Sequence, residues 1–256
     1  MYPTTVTVGI IGCGNVGSIL AERQNAFRIT AAYDCIPERA REFSDTFGVK
    51  SLSDFDEFLA EPVDIVVEAA SVSAVREHAA GVLLSGKDMV ILSVGALADE
   101  TFRTQLLETA RRMNRKIHIP SGAIMGLDNI RVGQISRIDT LFLKTTKNPK
   151  SLGLAEQEPR CVFSGKASDC VRQYPKNTNV ATSLSLAGGC DADVELWSNP
   201  GETKNMHEIT FAGEFGEAYI RIRNNPAPDN AATSYLAALS VLSILENLKN
   251  PLVIGA

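Results

Sequence analysis

The sequence predicts an α/β protein with two domains, a doubly wound parallel sheet followed by an open, mainly antiparallel sheet. Over residues 1–122, nearly continuous apolar runs alternate with segments of helical periodicity, which is typical of parallel strands covered by helices on both faces. After about residue 135, strand-like segments alternate apolar and polar residues, as strands with one solvated face do. The apolar segment NAATSYLAALSVLSILENL predicts a C-terminal helix that returns to the first domain.

The first strand and the turn after it indicate a dinucleotide site. The β-branched run TVTVGII at residues 5–11 leads into three glycines at G-x-G-x-x-G spacing, and Ser18–Ala26 then favours a helix. Glycines at these positions allow a sharp turn, a close approach of pyrophosphate to the backbone and tight packing of helix on strand. The alternative is an α/β turn that binds no nucleotide. We expect the cofactor to contact Gly12, Gly14, Asn15, Val16 and Gly17.

The second strand, RITAAYD, ends in Asp34, twenty-two residues after Gly12. A carboxylate at this distance is placed to accept hydrogen bonds from the ribose hydroxyls of an adenosine. It favours NAD, because it would repel the 2′-phosphate of NADP. Arg39 could offset that repulsion and permit NADP if it swings over the site, or it could lie on the helix surface beside Glu38 and Glu42.

The rest of the first domain continues the alternation. PERAREFSDTF predicts a helix, and the strands DIVVEAAS, DMVILSVG and KIHIPSG are separated by predicted helices over Val72–Leu84 and Asp99–Met113. In such sheets, ligands bind beyond the carboxyl ends of the strands. At the end of DIVVEAAS, this rule selects Ala69, Ala70 and Ser71 as cofactor contacts.

The second domain is predicted from four alternating segments, RIDTLFLKTTK, DVELWSN, MHEITFAG and EAYIRIRNN, with TNVATSLSLAG as a helix across them. Gly213–Gly216 predicts the turn between the last two strands, and residues 148–160 predict a loop. We assign residues 1–122 and 228–256 to the dinucleotide-binding domain. Residues 123–227 form the predicted catalytic and dimerisation domain.

The composition excludes several classes of partner. A net charge of −5 without a basic stripe gives no reason to expect nucleic acid or a lipid surface, so small molecules are the expected ligands. Neither a signal peptide nor a long apolar run is present, which predicts no export and no membrane span. The five cysteines form no C-x-x-C pair, and their odd number fits poorly with a disulfide framework. We expect a cytoplasmic protein without a metal site.

A dinucleotide domain joined to a sheet domain suggests a dehydrogenase, which needs an acid or base beside the nicotinamide. Three histidines are available. His78 lies in a predicted helix and His118 in a short strand, where we expect both to pack. His207, in KNMHEI, begins a strand of the second domain, and by position alone it is either catalytic or structural. We expect Cys13, inside the glycine turn, to fill space rather than to act as a nucleophile.

Four motifs in order resemble the L-aspartate dehydrogenase family over essentially the whole chain. They are IPSGAIMGLDNI, YPKNTNVATSLSLAGG, WSNPGETKNMHEITFAGEFGEAYIRI and NNPAPDNAATSYLAALS. The resemblance implies a Rossmann domain that binds NAD or NADP, an active site against a second α/β domain, and a homodimer. It also implies that His207 is the catalytic residue and that Ala123 and Asn179 contact the cofactor. Asn177 and Asn205, in the same motifs, serve either the site or the loop structure.

The activity implied by the resemblance is oxidative deamination of L-aspartate to iminoaspartate, which then yields oxaloacetate and ammonia or feeds NAD biosynthesis. One alternative is an NAD-binding sensor without turnover. Another is a related reductase such as dihydrodipicolinate reductase, although its H-H-x-x-K-x-D-x-P-S-G-T signature is absent. The family's usual N-P-K-T-S is replaced by residues 230–234, NAATS, so no role of that lysine transfers. We assign the substrate carboxylates to none of the available lysines, which are Lys144, Lys147, Lys176 and Lys204.

Overall fold

The computed structural model describes residues 5–155, 157–174, 179–228, 230–252 and 254. The chain divides into two compact units, Met1–Pro120 with Ala238–Ile254, and Ser121–Ala237. Most of the C-terminal helix therefore belongs to the first unit, as the sequence predicts. The sequence predicts the corresponding domain boundaries after residues 122 and 227.

The first unit contains six strands, β1 Val6–Ile11, β2 Phe27–Tyr33, β3 Lys50–Leu52, β4 Ile65–Glu68, β5 Asp88–Ile91 and β6 Ile117–His118. They form one parallel sheet in the order β3-β2-β1-β4-β5-β6. The strand order reverses between β1 and β4, and this switch point is where Rossmann folds bind dinucleotides. The predicted doubly wound sheet is confirmed.

Helices connect these strands, and the chemistry at their ends explains where several of them begin and end. They are α1 Asn15–Glu22, α2 Pro37–Phe47, α3 Phe55–Ala60, α4 Val72–Leu84 and α5 Glu100–Met113, with a 3-10 helix over Val94–Ala98. Asp54, Ser71 and Asp99 each accept a backbone N–H from the first turn of the helix that follows. Gly48, in the left-handed conformation, ends α2.

The second unit is built on five longer strands, β7 Ile138–Lys147, β8 Arg160–Lys166, β9 Asp193–Ser198, β10 Asn205–Gly213 and β11 Gly216–Asn224. Their order is β11-β10-β7-β9-β8. β7 and β9 are parallel, and the other neighbouring pairs are antiparallel. The predicted open, mainly antiparallel sheet is confirmed. The further elements are α6 Leu127–Ile130, a 3-10 helix over Arg131–Gln134, α7 Pro149–Leu152, α8 Ala167–Gln173, α9 Asn179–Gly188, β12 Pro226–Ala227, β13 Asn230–Ser234 and α10 Tyr235–Asn247.

The core of the second unit lies on one face of its sheet. Leu143 of β7 and Ile209 of β10 join a buried cluster with Leu184 of α9. Because side chains two residues apart in a strand share a face, Thr145 and His207 also lie on this covered face. The opposite face of the sheet carries mostly polar and aromatic side chains.

The last helix begins later than the sequence predicts. Residues 230–234 form β13, which pairs with β12, and α10 begins only at Tyr235. Pairing with β12 satisfies backbone groups of this segment and outweighs the helix propensity of its two alanines.

Other segments also differ from the sequence prediction. The segment RCVFSGKASDCVRQ, for which no element is predicted, forms β8 and α8. The predicted loop at 148–160 contains α7, and KIHIPSG contributes only the two residues of β6. Short elements give too few periods for an apolar pattern to identify them.

The structure also bears on disulfides, membrane spans and metal sites. All five cysteines are free. Within the residues that the structure describes, no helix is long and apolar enough to cross a membrane. The same residues contain no group of three or more His, Cys, Asp or Glu side chains that could hold a metal ion. The cytoplasmic location stays a prediction.

Candidate active site

The glycine loop joins β1 to α1 and lies against the end of β4. Gly12 has a φ of +103°, and a Cβ there would lie 2.8 Å from the carbonyl carbon of Ala69. A Cβ at Gly17 would lie 2.6 Å from the carbonyl oxygen of Gly12, so this close packing of α1 requires glycine. At Gly14, by contrast, an added Cβ would have no described atom within 4 Å apart from those of its immediate chain neighbours. The loop therefore leaves space where a pyrophosphate would approach the backbone.

The N-terminus of α1 adjoins this space. Gly14 is the N-cap and provides no side-chain cap, and the first turn contains no acidic residue. The first amides of the helix are therefore available to an anion. Asn15 and Val16 begin the helix. This arrangement fits a pyrophosphate group.

Asp34 follows β2 and is hydrogen-bonded to the glycine loop. Its Oδ2 accepts the Cys13 N–H at 2.9 Å, and its Oδ1 accepts the Ile36 N–H at 2.9 Å. Each carboxylate oxygen retains a lone pair for another donor. Asp34 can therefore accept ribose hydroxyls while it holds the loop in place. Arg39 is exposed on the first turn of α2.

The side chains of Cys13, His78 and His118 lie in buried or partly buried environments that suit packing rather than catalysis. Burial, together with the Asp34 carboxylate, raises the pKa of the Cys13 thiol to about 12, so the thiol stays protonated and is a poor nucleophile. His78 is buried in α4 and packs on Phe55, and burial lowers its pKa. Burial also lowers the pKa of His118 in β6. These surroundings agree with a packing role for all three.

Glu68, the last residue of β4, holds two loops together and is missed by the sequence analysis. It is fully buried. Its Oε1 accepts the Ala70 N–H and the Ser93 hydroxyl, both at 2.8 Å, and its Oε2 accepts the Ser93 N–H at 2.9 Å. Burial raises the pKa of the Glu68 carboxyl, and these hydrogen bonds oppose that rise. Glu68 thereby fixes the segment that contains the predicted contacts Ala69, Ala70 and Ser71.

His207 of β10 lies directly opposite Thr145 of β7. Its Nδ1 is 3.0 Å from Thr145 Oγ1, and the residue is only 2% exposed. Burial, and to a lesser extent the Lys147 ammonium, lowers the pKa of His207 to about 3. The imidazole is therefore neutral near pH 7, and its ring is held by a hydrogen bond. A neutral imidazole in a fixed orientation can accept a proton.

Ala123 and Asn179 belong to the same unit as His207. The Ala123 carbonyl accepts a hydrogen bond at 2.8 Å from Asn224 Nδ2. Asn224 pairs in register with Asn205, which is two residues from His207 in β10. Asn179 is the first residue of α9. Ala123 is thus linked to the end of the sheet that carries His207.

The predicted site residues fall into two groups, and their roles stay predictions. The group at the carboxyl edge of the parallel sheet comprises Gly12, Gly14, Asn15, Val16, Gly17, Asp34, Ala69, Ala70 and Ser71. The group in the second unit comprises Ala123, Asn179 and His207. Asn177 and Lys176 lie outside the described residues.

Comparison with known proteins identifies the family. A family model described as "Homoserine dehydrogenase, NAD binding domain" matches residues 8–120, and one described as "Aspartate dehydrogenase, C-terminal" matches residues 128–248. An L-aspartate dehydrogenase of Methanospirillum hungatei is 55% identical over 251 residues, which cover 98% of this chain and 100% of that protein. The chain belongs to the L-aspartate dehydrogenase family.

Two further relatives support the membership. An L-aspartate dehydrogenase of Archaeoglobus fulgidus is 43% identical, with 96% of this chain and 99% of that protein covered. The crystal structure of aspartate dehydrogenase from Thermotoga maritima matches with a TM-score of 0.83 and 31% identity, over 98% of this chain and 100% of that one. The family resemblance of the four motifs is therefore confirmed, and the two-unit fold is that of an aspartate dehydrogenase.

Asp34 should set the preference between NAD and NADP in this aspartate dehydrogenase family member. We predict a lower KM for NAD, because the carboxylate accepts ribose hydroxyls and repels a 2′-phosphate. Asp34→Ser should narrow or reverse the difference between NAD and NADP by about 1–3 kcal/mol, the scale of one charged hydrogen-bond partner. Steady-state kinetics with both cofactors measure the change.

Arg39→Ala is the matched control for this experiment, because the exposed Arg39 side chain should leave the preference unchanged. Asp34 also accepts the Cys13 N–H, so thermal unfolding of Asp34→Ser checks that the loop region remains folded. A native preference for NADP, or an unchanged preference in Asp34→Ser, would show that Asp34 is not the selector.

The buried His207 should make the protein less stable in acid. Its pKa is about 3 in the folded protein and near the ordinary 6.5 in the unfolded chain, so between these values only the unfolded chain is protonated. The stabilisation is complete above the unfolded pKa and is lost as pH falls towards the folded one. Between neutral pH and about pH 4.5, the free energy of unfolding should fall by about 2 kcal/mol more in the wild type than in His207→Gln. Urea unfolding at both pH values measures this, and equal losses would contradict the depressed pKa.

Proposed function

We propose that this chain is an NAD(P)-dependent L-aspartate dehydrogenase that oxidatively deaminates L-aspartate. Curated relatives with this name match it from end to end. The structural observation that carries the proposal is the neutral His207, hydrogen-bonded at Nδ1 to Thr145. This histidine lies in the part of the chain that matches the C-terminal domain of aspartate dehydrogenase.

The first domain, which we assign to residues 1–122 and 228–256, suits a dinucleotide. Open space at Gly14 and the first amides of α1 fit a pyrophosphate, and the Asp34 carboxylate fits an adenosine ribose. When bound, NAD accepts a hydride at C4 of its nicotinamide ring. We propose that Ala123 and Asn179 also contact the cofactor, as the family resemblance implies.

The second domain, which we assign to residues 123–227, supplies the base. L-Aspartate loses a hydride from Cα and a proton from its nitrogen, and a C=N bond forms to give iminoaspartate. Water then adds to this bond and ammonia leaves, which gives oxaloacetate. Nε2 of His207 accepts the proton from the ammonium group or from the attacking water.

Thr145 positions His207 for this role. A free lone pair on Nε2 requires that Nδ1 carry the hydrogen and donate it to Thr145 Oγ1. Thr145 Oγ1 can accept this hydrogen, so the contact is compatible with the tautomer that a base needs, and it holds the buried ring in one orientation. The low pKa keeps the imidazole unprotonated before it reacts.

NADH formation from L-aspartate, L-glutamate, L-alanine and L-homoserine tests the proposal. L-Aspartate should give the highest kcat/KM. His207→Gln should lower kcat by about 10²- to 10⁴-fold, the contribution of a general base, without changing NADH affinity. Thr145→Val should cause a smaller loss.

His118→Gln is the control in this series, because it alters a histidine of the other unit and should leave kcat unchanged. Activity that is absent with L-aspartate, or equal for all four substrates, would contradict the proposal. NADH binding without turnover of any substrate would instead identify a nucleotide-binding sensor.

We further propose a homodimer in which the two copies pair through the face of the second sheet that lies opposite the core. On this face Lys144 lies over the Trp197 ring at 4.7 Å, and Tyr219, which is 62% exposed, donates a hydrogen bond to Glu208. Exposed aromatic side chains on a sheet face are typical of interfaces. Sedimentation at micromolar concentration should give the dimer mass, and Tyr219→Glu should shift it towards the monomer. A monomeric wild type would refute the proposal.

A further inference from the structure

Four polar side chains occupy neighbouring positions at one end of the second sheet. Asn205 pairs with Asn224, and Lys147 pairs with Ser198. Lys147 and Asn205 are the next residues beyond the paired Thr146 and Met206, so the two pairs adjoin. We call this set the polar row. Its members, from β11, β10, β7 and β9 in order, are Asn224, Asn205, Lys147 and Ser198.

The polar row lies on the same face of the sheet as His207. Asn205 and His207 are two residues apart in β10, as are Lys147 and Thr145 in β7, and such positions share a face. On the other side of His207, the same face continues into the apolar core at Ile209. The polar row is therefore the polar end of a face that is otherwise apolar.

The polar row contains one buried hydroxyl that has no partner among the described residues. Asn224 is 4% exposed and Ser198 is fully buried. Ser198 Oγ has no hydrogen-bond partner in the part of the chain that the structure describes. Burial also lowers the pKa of the Lys147 ammonium. A buried hydroxyl without a partner costs free energy, and an anion that accepts a hydrogen bond from Ser198 Oγ would lie beside Lys147, its neighbour in the adjacent strand.

The strand register separates Lys147 from the other lysines that could bind a substrate carboxylate. Lys144 lies on the opposite face of the same strand, over the Trp197 ring. Lys204 lies before the start of β10, and Lys176 lies outside the described residues. Lys147 is the lysine that shares a face with His207.

We propose that the polar row binds the side-chain carboxylate of the substrate, with Lys147 as the cation that recognises it. The inference rests on the proposed function, because it takes L-aspartate as the substrate that reacts beside His207. Alternate positions in a strand are about 6.6 Å apart, so the row suits the carboxylate farther from the reacting carbon. The Lys147 ammonium and the Ser198 hydroxyl, which are neighbours across β7 and β9, are donors that match the acceptors of a carboxylate.

The test compares L-aspartate with L-asparagine, which differs only in its side-chain carboxylate. Isothermal titration calorimetry on the enzyme saturated with NADH measures binding without oxidation of either ligand. The wild type should bind L-aspartate more tightly, and Lys147→Met should reduce this preference by about 10- to 100-fold. Lys144→Met is the matched control: it removes the same charge from the opposite face and should retain the preference.

An unchanged preference in Lys147→Met would overturn the inference. An equal loss of affinity for both ligands would also overturn it, because Lys147 would then bind the α-carboxylate. NADH affinity and the unfolding midpoint report whether each variant folds, and Lys147→Gln replaces Lys147→Met if the latter does not. Turnover of L-aspartate by the wild type tests the proposed function separately, since ligand preference is measured without turnover.

Discussion

The register between β7 and β10 is the constraint on which the second unit depends. It sets Thr145 opposite His207 and so provides the hydrogen bond to Nδ1. A slip of β10 by one residue would turn His207 and the core residue Ile209 away from the covered face of the sheet. The apolar residues that hold the sheet in register therefore also orient the imidazole. The same strand register thus stabilises the second unit and sets the geometry of the site.

In the first unit, two buried carboxylates organise the carboxyl edge of the parallel sheet. Asp34 accepts one amide from the glycine loop and one from the segment that follows β2, and Glu68 accepts donors from two loops. Burial of each charge is tolerated because hydrogen-bond donors surround it. They differ in access, since Asp34 retains 8% exposure whereas Glu68 is enclosed. Asp34 is thus suited to meet a ligand, and Glu68 to keep the loops around the ligand rigid.

Local patterns in the sequence were sufficient to predict the parallel sheet, the glycine loop and the position of Asp34 after the second strand, because each depends on neighbours along the chain. Glu68 could have been found as the one charged residue inside an apolar run, where a carboxylate must have buried partners. The choice of Lys147 over Lys144 could not have been predicted from the sequence. It depends on which face of β7 carries the side chains that lie beside His207, and β10, the strand that pairs with β7, lies far away in sequence. The strand at 230–234 was missed for a similar reason, since its partner β12 outweighs local propensity.

The two cysteines of the first unit, Cys13 and Cys35, both lie next to Asp34, but one is buried and the other is exposed. Cys35 is exposed and follows Asp34 directly, whereas the Cys13 thiol is buried with a pKa of about 12. Maleimides and haloacetamides react with accessible thiolates, so they discriminate against Cys13. A fluorophore on Cys35 would adjoin the carboxylate proposed for the ribose and leave the glycine loop unmodified. The exposed Cys190 and the partly exposed Cys161 of the second unit would take up the same reagent. Their replacement by serine would leave Cys35 as an optical reporter of nucleotide occupancy.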